Sequence, residues 1–135
     1  MAFSAQVWTN VAALLNGVPE GYPGNNQPVS LTIDNDEVYR KIITITNATN
    51  AVIYADQLST FTFMLVACDF NTRLLVTDTN SDTMSFTLRG TAVANQYGVP
   101  WMLGEDLTTT GFRVNAIQLF NTSGSTARAI CLVFD

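Results

Sequence analysis

From Val29 to the carboxyl end, apolar residues recur at every second position in short runs divided by turn residues. That rhythm belongs to β-strands with one buried face, because successive side chains of a strand leave on opposite sides. Val29, Leu31 and Ile33 alternate with Ser30, Thr32 and Asp34 before a turn at Asn35-Asp36. Tyr39, Lys41, Ile43 and Ile45 share one side of a long strand that the polar group 47–50 ends. A short strand at 51–57 precedes a run at 60–69, in which Phe61, Phe63, Leu65 and Ala67 oppose Met64, Val66 and Cys68; apolar residues on both sides predict a central, buried strand. Strands at 72–78 and 83–89 flank a turn at 79–82, and Met84, Phe86 and Leu88 alternate with Ser85 and Thr87 as in a half-buried strand. The stretch 90–110, with Pro100 and Gly104, reads as a long loop carrying one short edge strand at 99–103. The last two strands, 112–120 and 127–134, flank 121–125, whose composition predicts a hairpin turn. Seven or eight such strands predict an all-β fold, an antiparallel β-sandwich of the jelly-roll kind.

The first 28 residues differ. Ser4 can cap a short helix with Val7, Val11, Leu14 and Leu15 on one side and Gly17 as its stop, and an extended strand-like arm fits nearly as well. Residues 18–28, rich in Pro, Gly and Asn, predict an irregular tether. The expected division is therefore an arm with its tether at 1–28 and one sandwich domain at 29–135. An apolar arm on a tether suits docking, so Phe3, Val7, Trp8, Val11, Leu14 and Leu15, with Trp101 in the long loop, are the candidate partner-binding residues. The opposing expectation is that the arm packs across its own sandwich.

The chemistry of catalysis is sparse. There is no histidine, Lys41 is the only lysine, and the two cysteines stand apart, whereas most hydrolytic and nucleophilic sites use one of these residue types. Only 13% of residues are charged, against about 25% in an average domain, so threonine, serine and asparagine must cover the surface, or another protein must. A net charge of −5 with scattered arginines disfavours nucleic acid. No apolar run is long enough for a spanning helix and no basic residue precedes the first apolar run, which predicts neither membrane insertion nor a signal peptide. Cys68 and Cys131 lie in apolar runs and are expected as unpaired core thiols, a disulfide requiring their strands to be neighbours.

Asp78-x-Asn80-x-Asp82 opens like a calcium loop, yet Thr83 stands where such a loop has glycine and Arg89 where it has glutamate. A hairpin turn accounts for the same residues, so this is a weak calcium candidate, and no cofactor is expected. Asp34-Asn35-Asp36-Glu37 has the same reading. Glu105 and Asp106 are a carboxylate pair, but adjacent side chains diverge and no second acidic cluster completes a glycosidase geometry.

The threonine-rich strands from Val29-Ser30-Leu31-Thr32-Ile33 to Ala129-Ile130-Cys131-Leu132-Val133-Phe134, behind an extended arm, resemble the small jelly-roll cement or decoration proteins of tailed-bacteriophage capsids. The likeness is one of size, texture and layout, and spans nearly the whole chain. It implies a non-enzymatic virion protein, made in the cytoplasm of a host bacterium, that binds the major capsid protein as a dimer or trimer. By that analogy residues 2–15 reach to the capsid or to a sister subunit. A tail, fibre or collar component of a virion fits the same features. So does a carbohydrate-binding module using Trp101, Tyr97, Asp78, Asn80 and Asp82.

Overall fold

The computed structural model describes residues 38–58, 60–104 and 113–135, together with four strands ahead of them: β1 (Ser4–Val7), β2 (Ala13–Leu15), β3 (Val18–Glu20) and β4 (Val29–Thr32). The sandwich itself is built from β5 (Val38–Ile45), β6 (Asn50–Ala55), β7 (Phe63–Cys68), β8 (Thr72–Asp78), β9 (Thr83–Leu88), β10 (Trp101–Leu103), β11 (Val114–Asn121) and β12 (Ala127–Phe134). These form two four-stranded sheets, β10-β7-β12-β5 and β6-β11-β8-β9, antiparallel throughout. Within the sandwich only β8 and β9 are consecutive neighbours; every other connection from β5 to β12 crosses between the sheets, which is the eight-strand order of a jelly roll.

One expected hairpin is therefore absent. β11 and β12 lie in different sheets, each central, and 121–126 carries the chain across. Asn121, fully buried, holds that crossing: its Nδ2 donates to the Ile45 carbonyl at 2.8 Å and the Ser125 carbonyl at 2.7 Å, while its Oδ1 accepts from the Ser123 N–H at 3.0 Å. Turn composition describes how the chain bends, not which sheet it enters next.

The inner faces alternate as strand geometry requires. Val66 and Cys68 of β7, Leu74 and Val76 of β8, Ile117 and Leu119 of β11, and Cys131 and Val133 of β12 are fully buried and join one core cluster. At the β5–β6 end, side chains close the gap between the sheets: the Tyr39 hydroxyl donates to the Ile53 carbonyl at 3.0 Å and Lys41 Nζ to the Val52 carbonyl at 3.3 Å. An edge-to-face row continues this seal, with Tyr39 and Tyr54 centroids 5.7 Å apart and Tyr54 and Phe61 6.4 Å apart.

Past β9 the chain is pinned by a buried acid. Asp69 accepts the Arg128 N–H at 2.7 Å and the Asn95 N–H at 2.9 Å on its two carboxylate oxygens. Gly98 passes so close to the Arg89 carbonyl that a methyl group there would overlap it.

The described residues of the amino-terminal segment are strand, not helix. β1 pairs antiparallel with β4, Ser4 opposite Thr32 and Val7 opposite Val29, and β2 pairs with β3 in the span between them. Two expectations change. Val18–Glu20 is regular despite Pro19, which sits in a two-stranded ribbon where a missing N–H is tolerated. Val29–Thr32, expected to open the sandwich domain, pairs with β1 of the arm.

Candidate functional site

The Asp78 turn is a cap. Asp78 is buried, and its Oδ1 accepts the N–H groups of Asn80 at 2.9 Å and Asp82 at 2.8 Å, while the Ser81 N–H bonds the Asp78 carbonyl at 3.1 Å. An Asp at this position folds its own backbone into a turn, so its carboxylate is already engaged by the hairpin. Asn80 and Asp82 are exposed. Among the described residues no three Cys, Asp or Glu side chains gather as metal ligands.

The two outer faces of the sandwich differ in kind. On the β6-β11-β8-β9 sheet the outward positions include Val52 of β6, Ala116, Gln118 and Phe120 of β11, Arg73, Leu75 and Thr77 of β8, and Thr83, Ser85 and Thr87 of β9, a mixed face that is wholly polar at β9. Arg73 lies 5.5 Å from the Phe120 ring centre, and the Thr77 and Thr83 hydroxyls are 3.3 Å apart across the hairpin. On the β10-β7-β12-β5 sheet the outward positions are Met102; Phe63, Leu65 and Ala67; Ile130, Leu132 and Phe134; and Val38 and Ile42, with Arg40, Thr44 and Arg128 among them. Register sets them in rows: Met102 beside Leu65 beside Leu132, Ala67 beside Ile130 beside Ile42, and Phe63 beside Phe134 beside Val38. The Phe63 and Phe134 rings stack at 6.3 Å. This sheet is apolar on both sides. The signal was present in the unbroken apolar runs of β7 and β12, which mark strands buried on two faces.

A second apolar surface follows the edge where β9 and β10 meet. Of seven exposed large apolar residues among the described ones, Met84, Phe86, Val93, Val99 and Met102 all belong to the segment from 83 to 103. β9 and β10 end their sheets on this side, and Phe86 meets Trp101 at 6.1 Å between ring centres. Trp101 thus stands beside this patch, half-buried. The clean alternation of 83–89 gave no hint of it: only Leu88 is buried, while Met84 is 41% and Phe86 39% exposed, because the sandwich ends at β9. Tyr97, half-buried, turns its hydroxyl inward, where it has no hydrogen-bond partner among the described residues.

Cys68 and Cys131 are both buried and unbridged. β7 and β12 are neighbours, with Cys68 opposite Ala129 and Cys131 opposite Val66, a diagonal rather than a facing pair. Burial pushes the Cys131 thiol up to about 12, against a smaller downward pull from Lys41. Burial also raises Cys68, whose sulfur donates to the Phe70 carbonyl at 2.8 Å and accepts from Thr72 Oγ1 at 3.4 Å, an opposing effect. Neither thiol is poised to act as a nucleophile. A shallow groove of about 580 Å³ lies over Asp69, Asn95, Thr44, Thr126 and Arg128, but both Asp69 oxygens are engaged with backbone N–H groups.

Phe3, Trp8, Val11, Asp34, Glu105 and Asp106 lie outside the described residues; Val7 falls in β1, and Leu14 and Leu15 in β2.

No protein-family model and no curated protein matches the chain. Among solved structures it is similar, at 11% identity and a TM-score of 0.40, to a chain from work on Bacillus endospore appendages, described as a novel family of disulfide-linked pili; the match covers 76% of this chain and 93% of that one. That neighbour is a pilus component, and the bacteriophage kinship expected from the sequence has no counterpart in it.

Proposed function

We propose that this chain is a non-enzymatic structural subunit that works by protein–protein contact, as a capsid cement or decoration protein on the outside of a virion. The observation that carries this reading is the apolar edge formed by Met84, Phe86, Val93 and Val99 beside Trp101. Exposed apolar side chains gathered on one edge mark an interaction surface, and interfaces that hold stably bury more than about 1,000 Å² in total. The β8–β9 part of the opposite sheet, with Thr77, Thr83, Ser85 and Thr87 facing out, is suited to water. The partners in this reading are the major capsid protein and sister copies in a dimer or trimer, with Trp8, Val11, Leu14 and Leu15 of the arm as a second contact.

The test is density-gradient sedimentation of a lysate from the source culture with the particles it releases, tracking this chain by peptide mass spectrometry. Co-migration with particles in fixed proportion to a shell protein is the expected result, and recovery only at the top of the gradient sinks the reading. A Val93→Asp, Val99→Asp double variant, these being the two most exposed positions of the patch, should fold as before yet leave the particle fraction.

A further inference from the structure

We infer that the outer face of the β10-β7-β12-β5 sheet is the docking site for the β1–β4 ribbon of the same chain, which covers it as a third layer. Three observations lead there. The first is apolarity: Leu65, Leu132, Ile130, Phe63 and Phe134 occupy the middle of that face, on the side away from the core. A sheet that is apolar on both sides is stable in water when both sides are covered.

The second is the pattern of the ribbon. Its register sets Ala5 opposite Leu31 and Val7 opposite Val29, and Ser4 opposite Thr32 and Gln6 opposite Ser30. By strand alternation the first four positions share one side and the second four the other, an apolar and a polar side. A two-stranded ribbon is at best marginal alone in water and gains stability by laying its apolar side on another layer.

The third is reach and charge. Residues 33–37 join Thr32 to Val38, the first residue of the edge strand β5 of that same sheet. Six Cα steps span up to about 20 Å, against about 14 Å across four strands. Asp34-Asn35-Asp36 is turn-forming sequence, suited to folding the ribbon back. The ribbon strands carry no charged residue, and the acids beside them, Asp34, Asp36 and Glu37, all lie in the connector that leads into β5, whose outward Arg40 with Arg128 of β12 gives the face positive charge and no acid. A connector this short makes the local concentration of the chain's own ribbon exceed that of any other copy's. Docked so, the ribbon leaves residues 8–28, with the β2–β3 hairpin, as the part of the arm available to a partner, and leaves the β9–β10 edge open.

The experiment is thiol labelling of the full chain, for which the buried Cys68 and Cys131 provide a silent background and an internal check on folding. Leu132→Cys on the covered face should react at least about tenfold more slowly than Ser85→Cys on the polar side of β9, as protection by local structure requires. Equal rates overturn the inference. Leu31→Asp, added to Leu132→Cys, should restore fast labelling while the native thiols stay silent; if the native thiols react, Leu31→Ser serves in its place. Protection that survives both changes means that something other than the ribbon is the cover. Protection that is lost on dilution assigns the cover to a second copy and overturns the same-chain docking. None of these outcomes bears on the β9–β10 edge, so the inference and the proposed function fail separately.

Discussion

At Cys131 the sandwich removes a polarisable atom from water almost completely, and the cost falls on the charged form. Burial raises the thiol from an ordinary value near 9 to about 12, so the folded chain keeps a proton that the unfolded chain releases. The sign follows from that difference: the contribution to stability is fully present below pH 9 and is lost as pH rises towards 12. The loss amounts to about 4 kcal/mol over the window. Urea unfolding at a series of alkaline pH values should show this decline, and Cys131→Ala should show a shallower one, at a cost near neutrality of about 1–2 kcal/mol for the vacated volume. Equal slopes in the two proteins would refute the assignment. The apolar neighbours of Cys131 along the chain mark it as a core thiol, while its depth is set by its place on the central strand β12, covered by the opposite sheet.

At the scale of the element, the β8–β9 hairpin shows one motif serving local folding. Asp78 uses one carboxylate oxygen to bind two backbone N–H groups, so Asp78→Ala should cost about 1–2 kcal/mol and Asp78→Asn, which keeps the acceptor, less. Melting curves with and without millimolar calcium provide the contrast: an unchanged midpoint agrees with a turn cap, and a clear rise would make the loop a cation site. The apolar run of β7 made both the strand and its central place legible in the sequence, whereas the clean alternation of β9 showed the strand but not that the sheet ends there. β7 pairs on both sides, whereas β9 ends its sheet, which leaves Met84 and Phe86 half in water although their spacing is that of a buried face. The candidate site was legible in one residue, Trp101. Val93 and Val99 had no period to betray them and became a surface only through β10 meeting β9.

For the whole molecule, the two ends of the sandwich are sealed unequally. Tyr39 and Lys41 bridge the sheets by hydrogen bonds at the β5–β6 end, while at the β9–β10 end the bridge is the Phe86–Trp101 contact. Local opening should follow that difference. Native-state hydrogen exchange should show the amides of β11 and β12, central in their sheets, exchanging only with global unfolding, and those of β9 and β10 exchanging first. Uniform protection across all eight strands would contradict the unequal sealing. By itself the sequence determined the all-β class, most strand positions, the buried thiols and the scarcity of catalytic groups, because alternation and residue chemistry are local properties. Sheet membership, the crossing from β11 to β12, the pairing of β4 with β1 and the contrast between the outer faces were decided by tertiary structure. Strand pairing joins residues distant along the chain, and one period-two pattern is compatible with many partners.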